Sequence, residues 1–323
     1  MDPDRIVVLA GGVGGAKFVR GLRALGRRTP DRSPSVTVVA NTGDDLWLAG
    51  LRVTPDLDSL MYALAGVNDE QRGWGRAGES ERVSAELTAY GVGWPWFTLG
   101  DLDLGTHIAR SALLREGLPL SAVVERLSAR WPLGVRLLPA TDDEVETHVV
   151  TAEGELHFEE WWVRTRAALP ALAFRQHGVE TATAAPGVRE AILEADVVLV
   201  APSNPVVSIG TILGIPGVRE ALTATSAPVV GLSPVIGGAV VRGMADACLT
   251  AIGVETDAAA IARHYGARAE GGLLDGWLVD EADAVAVEAL SGTGIRAAAV
   301  PLWMTDDDTT AEMAAAALRL AAR

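Results

Sequence analysis

Arg5-Ile6-Val7-Val8-Leu9-Ala10-Gly11-Gly12-Val13-Gly14-Gly15-Ala16-Lys17 lies almost at the start of the chain and decides its fold class. The first six residues are a short, β-rich apolar run bounded by glycine, which reads as a strand buried on both faces. Five residues, four of them glycine, then turn the chain, and residues 16–25 carry apolar side chains at helical spacing. Strand, glycine turn and helix make the first half of a βαβ unit. Residues 35–40 supply the next strand, ending in Asn41-Thr42-Gly43-Asp44-Asp45. Pro55-Asp56 opens a helix through residue 65, with Asp58 in its first turn, where a carboxylate suits the helix dipole.

Farther along, residues 66 to 134 alternate helical stretches (82–90, 104–116, 120–130) with the Gly/Trp-rich segment Gly91-Val92-Gly93-Trp94-Pro95-Trp96-Phe97. This stretch reads as a helical insertion. A hairpin is expected over 145–150 and 156–158, with a helix beginning near Glu159. Helix and strand then alternate: a helix to 195, a strand over 196–201, a helix near 218–223, a strand over 227–232 and a helix over 244–252. Late strands are expected at 277–279 and 296–300, with a closing helix over 309–322. The fold class is therefore α/β, a Rossmann-like, mostly parallel sheet with helices on both faces and a helical insertion lobe. Its core is expected to span 1–65 and 135–323, with 66–134 inserted.

Composition narrows the function. The 323 residues are 49% hydrophobic and 21% charged, which excludes disorder and leaves ample apolar material for a core. Forty-two acidic residues against 27 basic ones give a net charge of −15, so a nucleic-acid backbone or an anionic membrane is repelled and any anionic ligand must be met locally. A lone Cys248 has no disulfide or zinc partner, and Met1-Asp2-Pro3-Asp4 lacks the features of a signal peptide; both point to the cytoplasm. The uncharged stretches 201–218 and 224–241 reach the length of a membrane span, but Pro, Gly and Ser are spread through both, and they read as buried strands joined by loops.

In open parallel sheets ligands bind beyond the carboxyl ends of the strands, so the residues that follow each strand matter most. Gly11 to Gly15 let a phosphate approach the backbone at a helix N-terminus, and Lys17, the only lysine in the chain, adds a point charge. The loop is neither a Walker motif nor a complete dinucleotide fingerprint, because Ala16, Lys17 and Phe18 stand where those motifs need glycine or a hydroxyl. Asn41-Thr42-Gly43-Asp44-Asp45, with Asp56 and Asp58, admits two readings: a Mg²⁺ clamp for a diphosphate, or a solvated Asx turn and a helix cap. Ser203-Asn204-Pro205 with Ser208 and Gly210, and Ser233-Pro234 with Gly237, Gly238 and Arg242, suit a base edge, a ribose or an oxyanion, and equally an ordinary βα turn. Trp74, Trp94 and Trp96 stand in Gly-rich segments where flat aromatic ligands can stack. His107 and His148 have no spacing that marks a metal triad, and Cys248 reads as an inert core thiol.

Taken in order, these strings, with Leu99-Gly100-Asp101 and Thr106-His107, resemble the 2-phospho-L-lactate transferases of coenzyme F420 biosynthesis, from about residue 5 to the C-terminus. Arg72-Gly73-Trp74-Gly75 and Glu160-Trp161-Trp162-Val163-Arg164 resemble the actinobacterial branch, whose members use phosphoenolpyruvate. The resemblance implies a guanosine diphosphate ester of phosphoenolpyruvate or phospholactate as donor and the deazaflavin Fo as acceptor. The terminal ribityl hydroxyl attacks the β-phosphorus, GMP leaves, and dehydro-F420-0 or F420-0 forms with Mg²⁺ as cofactor. It further implies metal ligation by Asp44 and Asp58, with Asp45 and Asp56 orienting the metal or accepting the ribityl proton. Ser203, Asn204, Ser208 and Gly210 would hold guanosine; Gly12, Gly14, Gly15, Lys17 and Arg242, with the Ser233, Gly237 and Gly238 loop, phosphates; and Asn41, Thr42, Asp101, Thr106 and His107 the deazaflavin or the transferred group, with the insertion contributing to the deazaflavin site. A homodimer is expected, as the commonest symmetric assembly. Ala239 departs from the lysine that many relatives carry there. The competing readings are a guanosine-nucleotide sensor without catalysis and an NAD-dependent oxidoreductase, whose glycine fingerprint is incomplete here.

Overall fold

The computed structural model describes residues 3–28 and 34–322, so Met1 and Asp2 of the N-terminal reading lie outside the described residues. The opening unit is β1 (Arg5–Ala10), α1 (Gly12–Arg27) and β2 (Ser35–Ala40), with the two strands parallel. The helix begins four residues earlier than its apolar periodicity indicates, so most of the glycine stretch is its first turn. A hairpin of β3 (Leu46–Leu48) and β4 (Leu51–Val53) leads into α2 (Pro55–Ala65), whose first position holds Pro55, where no backbone donor is needed. Then come α3 (Arg82–Ala89), α4 (Asp101–Arg115), α5 (Leu120–Ser128) and β5 (Arg136–Pro139).

Three strands, β6 (Glu146–Thr151), β7 (Gly154–His157) and β8 (Ala173–His177), form a separate antiparallel sheet with β6 in the centre. The expected helix near Glu159 is a five-residue π turn over Glu160–Arg164. The remainder is α6 (Val188–Glu194), β9 (Val197–Val200), α7 (Ile209–Gly214), α8 (Val218–Ala224), β10 (Val229–Leu232), the small hairpin β11 (Val235–Ile236) and β12 (Ala239–Val240), α9 (Ala245–Ala251), α10 (Ala258–Tyr265), β13 (Gly276–Val279), α11 (Val285–Ala289), β14 (Arg296–Ala299) and α12 (Asp307–Ala321). The 201–218 stretch is thus a loop and a short helix rather than strands. No described helix is long and apolar enough to cross a membrane.

The main sheet runs β14-β13-β10-β9-β1-β2-β5, every pairing parallel. Strand alternation divides its core in two. Val7 and Leu9 of β1 face one apolar cluster with α6, α8 and α10, whereas Ile6, Val8 and Ala10 face another with α1, α2 and α12. Truncating a fully buried member such as Leu9 to alanine would cost about 2–5 kcal/mol. Where α1 crosses α12, Gly21 lies so close to Thr310 that a Cβ would sit 2.3 Å from its methyl carbon. From β1 the chain proceeds outward to β2 and β5, then returns to β9 and moves the other way. Strand order therefore reverses between β1 and β9, and a crevice opens beyond their carboxyl ends.

Candidate functional site

A cavity of about 820 Å³ occupies that crevice, within the range of small-molecule sites. The glycine turn forms one wall. Gly12 holds φ at +59°, which suits glycine, and a Cβ on Gly14 would stand 2.8 Å from the Pro202 carbonyl oxygen, so the turn packs directly on the loop after β9. Ser203 locks the two together: its hydroxyl accepts from the Gly11 N–H at 3.0 Å and donates to the Gly11 carbonyl at 2.8 Å. Asn204 uses its Oδ1 within its own loop, accepting from the Val206 N–H at 2.9 Å. Lys17 and Arg242, both exposed, stand at the cavity wall, joined there by Ser208 and Ser233.

On one flank three buried carboxylates, Asp44, Asp56 and Glu159, face the cavity together. Asp56 accepts from Asn41 Nδ2 at 2.9 Å and from the Gly12 N–H, yet burial still raises its pKa to about 6. Glu159 is raised to about 8 by burial and by the negative charge of Asp56. Asp44 is held well above the usual carboxylate range by burial, then by Asp56, Glu159 and Asp45. Among the described residues its Oδ1 has no hydrogen-bond partner, and neither oxygen of buried Asp45 has one, although Arg52 lies 3.8 Å from Asp45. Buried carboxylate oxygens without partners are costly. The unpaired Asp44 oxygen at the cavity wall is a hard donor of the kind a divalent cation takes.

Toward α4 the carboxylates are matched. Asp58 is ion-paired with the fully buried Arg110 and accepts from Thr54 Oγ1 at 3.2 Å. Arg110 also donates to His107 Nδ1 at 2.9 Å, which places the ring proton on Nε2. That nitrogen faces Asp103 Oδ1 at 3.3 Å without hydrogen-bond alignment, and Tyr62 donates to the same oxygen at 2.7 Å. The His107 ring beside it, the Tyr62 hydrogen bond and the nearby Arg110 guanidinium keep Asp103 below its ordinary pKa despite burial.

Of the residues expected at the site, Gly12, Gly14, Lys17, Asp44, Asp56, Asp58, His107, Ser203, Asn204, Ser208, Ser233 and Arg242 line the cavity. The others stand behind it or apart. Asn41 holds Asp56, and Thr42 and Asp45 are buried in the same loop. Gly15 packs on Ala10, Gly210 on the Pro205 carbonyl, and Thr106 is buried on α4. Asp101 accepts from the Ser80 N–H and hydroxyl. The N–H groups of Gly237 and Gly238 are bound by the Asp283 carboxylate at 2.8 and 3.0 Å, so they are not free for a phosphate. Asp44 and Asp58 lie in different groups, one unpaired and one paired with arginine.

Glu159, Asp103, Tyr62 and Arg110 were not foreseen. Asp103 and His107 stand one helical turn apart, a spacing that could have marked them, whereas Asp101 is directed elsewhere. Trp74, Trp96 and Trp162 line the cavity, and Trp94 stacks on Trp96 with ring centroids 4.7 Å apart. Trp161 is core, donating to the Leu169 carbonyl at 2.7 Å.

Residues 6–315 match the family described as 2-phospho-L-lactate transferase CofD. The chain belongs to the CofD family. Over 321 residues, 98% of each chain, it is 59% identical to a phosphoenolpyruvate transferase of Streptomyces griseus, and over 324 residues, again 98% of each, 59% identical to one of Thermobifida fusca. A phosphoenolpyruvate transferase of Mycobacterium sp. strain JLS is 52% identical over 332 residues, with 98% of both chains covered. Among solved structures, a UPF0052-family protein of Bacillus halodurans superposes with TM-score 0.62 at 18% identity, covering 98% of this chain and 99% of that one, a likeness of fold. As a CofD-family protein the chain is a transferase of the phosphoenolpyruvate/2-phospho-L-lactate type, acting in F420 biosynthesis.

Proposed function

We propose that this CofD-family transferase takes the phosphoenolpyruvyl group from its guanosine diphosphate ester and passes it to the terminal ribityl hydroxyl of the deazaflavin Fo. The ribityl oxygen forms a bond to the β-phosphorus, the bond from that phosphorus to the α,β-bridging oxygen breaks, and GMP leaves with the electron pair. Phosphoenolpyruvate is preferred to phospholactate because relatives 52–59% identical over nearly the whole chain carry that name.

The observation that carries the proposal is one cavity at the strand-order reversal that holds the glycine turn, two cations and an unpaired acidic group together. Phosphoryl transfer depends on positioning and on neutralising charge at the phosphate oxygens. Gly12, Gly14, Lys17 and Arg242, which line the cavity, would bind the diphosphate, and Ser203 and Asn204 the guanosine. Trp74, Trp96 and Trp162 offer apolar faces for a flat tricycle. Asp44, with Asp56 and Glu159, would hold Mg²⁺, which when bound supplies positive charge to the diphosphate oxygens. The ribityl proton would pass to a carboxylate of this acidic group that is not ligating the metal.

The test is mass spectrometry of the products after incubation with Fo, Mg²⁺ and each guanosine ester separately. Dehydro-F420-0 and GMP are expected from the phosphoenolpyruvate ester. Guanosine-nucleotide binding without product from either ester would overturn the proposal in favour of a sensor.

A further inference from the structure

Three of the chain's five histidines meet on one face of the small antiparallel sheet, far apart in sequence but adjacent through strand pairing. Strand register sets His148 opposite His157, Glu146 opposite His177, and Val150 opposite Glu155, so their side chains rise on the same side. His157 is buried and tied down, accepting on Nδ1 from the Glu159 N–H at 3.1 Å. The other two are half-buried or exposed and close around one carboxylate. His177 Nε2 contacts Glu155 Oε1, and His148 Nδ1 lies 3.7 Å from the same oxygen. The imidazole rings of His148 and His177 are 4.5 Å apart, edge to face.

We propose that His148 Nδ1, His177 Nε2 and Glu155 Oε1 form a binding site for one borderline divalent transition-metal ion of the zinc class. The three atoms lie within 4.8 Å of one another. Tetrahedral ligation at ~2.0–2.1 Å puts ligand atoms about 3.4 Å apart, so only small side-chain movements close the site. Two further contacts prepare it. Glu146 Oε2 lies 3.4 Å from His148 Nε2, the outer carboxylate that orients a ligating imidazole and leaves Nδ1 free for the metal. Arg175 donates to Glu155 Oε2 at 3.1 Å, which leaves Oε1 as the single ligating oxygen. Partial exposure leaves the fourth position to water. Two imidazoles favour zinc over magnesium, so this site is chemically distinct from the oxygen-only group at Asp44.

The ion would tie β7 and β8 to β6. Between Glu146 and His148, Thr147 turns to the other face and its N–H donates to the Gly43 carbonyl at 2.6 Å. The same sheet therefore supports the loop that carries Asp44 and Asp45, and metal binding should stiffen that loop.

The test is calorimetric titration of Zn²⁺ into chelator-treated full-length protein, beside His148→Ala, His177→Ala and the double variant, each checked by far-UV circular dichroism. One equivalent of Zn²⁺ should be lost in the double variant while any binding at the acidic cavity stays, and Glu146→Gln should weaken it about tenfold. Co²⁺ should give the visible absorption of a tetrahedral site in the parent and not in the double variant. Saturating Zn²⁺ should raise the melting temperature of the parent by more than that of the double variant. Equal Zn²⁺ stoichiometry and affinity in parent and folded double variant, or no Zn²⁺ uptake by the parent, would overturn the proposal.

Discussion

On the α4 side of the cavity, Asp58 and Asp103 face Arg110, His107 and Tyr62, whereas on the side of the Asn41–Asp45 loop Asp44, Asp56 and Glu159 face mainly one another. Both flanks bury carboxylates at similar depth, so burial alone does not separate their roles. Compensation does. The first flank is ion-paired and hydrogen-bonded within the protein itself and has the character of a scaffold. Among the described residues the second lacks a positive partner, and a site that binds a metal-diphosphate ligand requires such an imbalance.

Removing the partner on the matched flank should therefore have the largest effect. Arg110→Ala strands Asp58 and leaves His107 without the donor that fixes its tautomer, at a cost of about 3–5 kcal/mol in unfolding free energy. Chemical denaturation measures it. On the unmatched flank Asp44→Asn should leave the metal-free protein no less stable and yet remove turnover. A comparable loss of stability in both variants would erase the distinction between the flanks.

Next comes Lys17→Ala, expected to lower turnover about 10²–10³-fold at saturating substrate, the range seen when a single preorganised charge-stabilising group is lost. Lys17 is exposed at the cavity wall, so stability should not change. Near-parental rates would move the diphosphate away from α1. Excess chelator should likewise abolish turnover, since the acidic flank alone repels the donor.

The pH dependence of stability separates the flanks without mutation. Asp56 at about 6 and Glu159 at about 8 hold protons in the folded state that the unfolded chain releases near pH 4 to 4.5. The folded state then binds more protons than the unfolded one, so stability falls as pH rises from about 4 through 6 and on to 8. The slope approaches about 1.4 kcal/mol per pH unit for each such proton. Saturating Mg²⁺ should flatten it by replacing those protons. Thermal melts across this range, with and without Mg²⁺, give the result; a stability that rises over pH 5–8 without metal would contradict the unmatched flank.

How far these features were legible in the sequence follows from their range along the chain. The β1–α1 unit, Pro55 at the start of α2 and the strand-end positions of Ser203 and Ser233 are local patterns, visible in windows of a dozen residues. The glycine turn and the Asp44, Asp56 and Asp58 carboxylates were visible for the same reason. What completes them was not: Arg110 reaches Asp58 across 52 positions, and Asp283 takes the Gly237 N–H across 46. Nothing local in Gly237-Gly238 shows that its N–H groups are already bound. Glu159 reads as a helix start until folding places it against Asp56, and β8 has too little apolar alternation to stand out before it pairs with β6.

The smallest expected effect compares two serines that follow adjacent strands. Ser203 binds both the N–H and the carbonyl of Gly11, 192 positions away, and so ties the β9 loop to the glycine turn. Ser233 makes the same pair of bonds, but to Val235 in its own turn. Either change to alanine leaves two buried polar groups and should cost about 1–3 kcal/mol in stability. Only Ser203→Ala should also raise the KM for the guanosine ester, with kcat nearly unchanged, because only that bond holds two phosphate-facing segments in register. Equal KM values in the two variants would show that the glycine turn keeps its place through the packing of Gly14 on Pro202 alone.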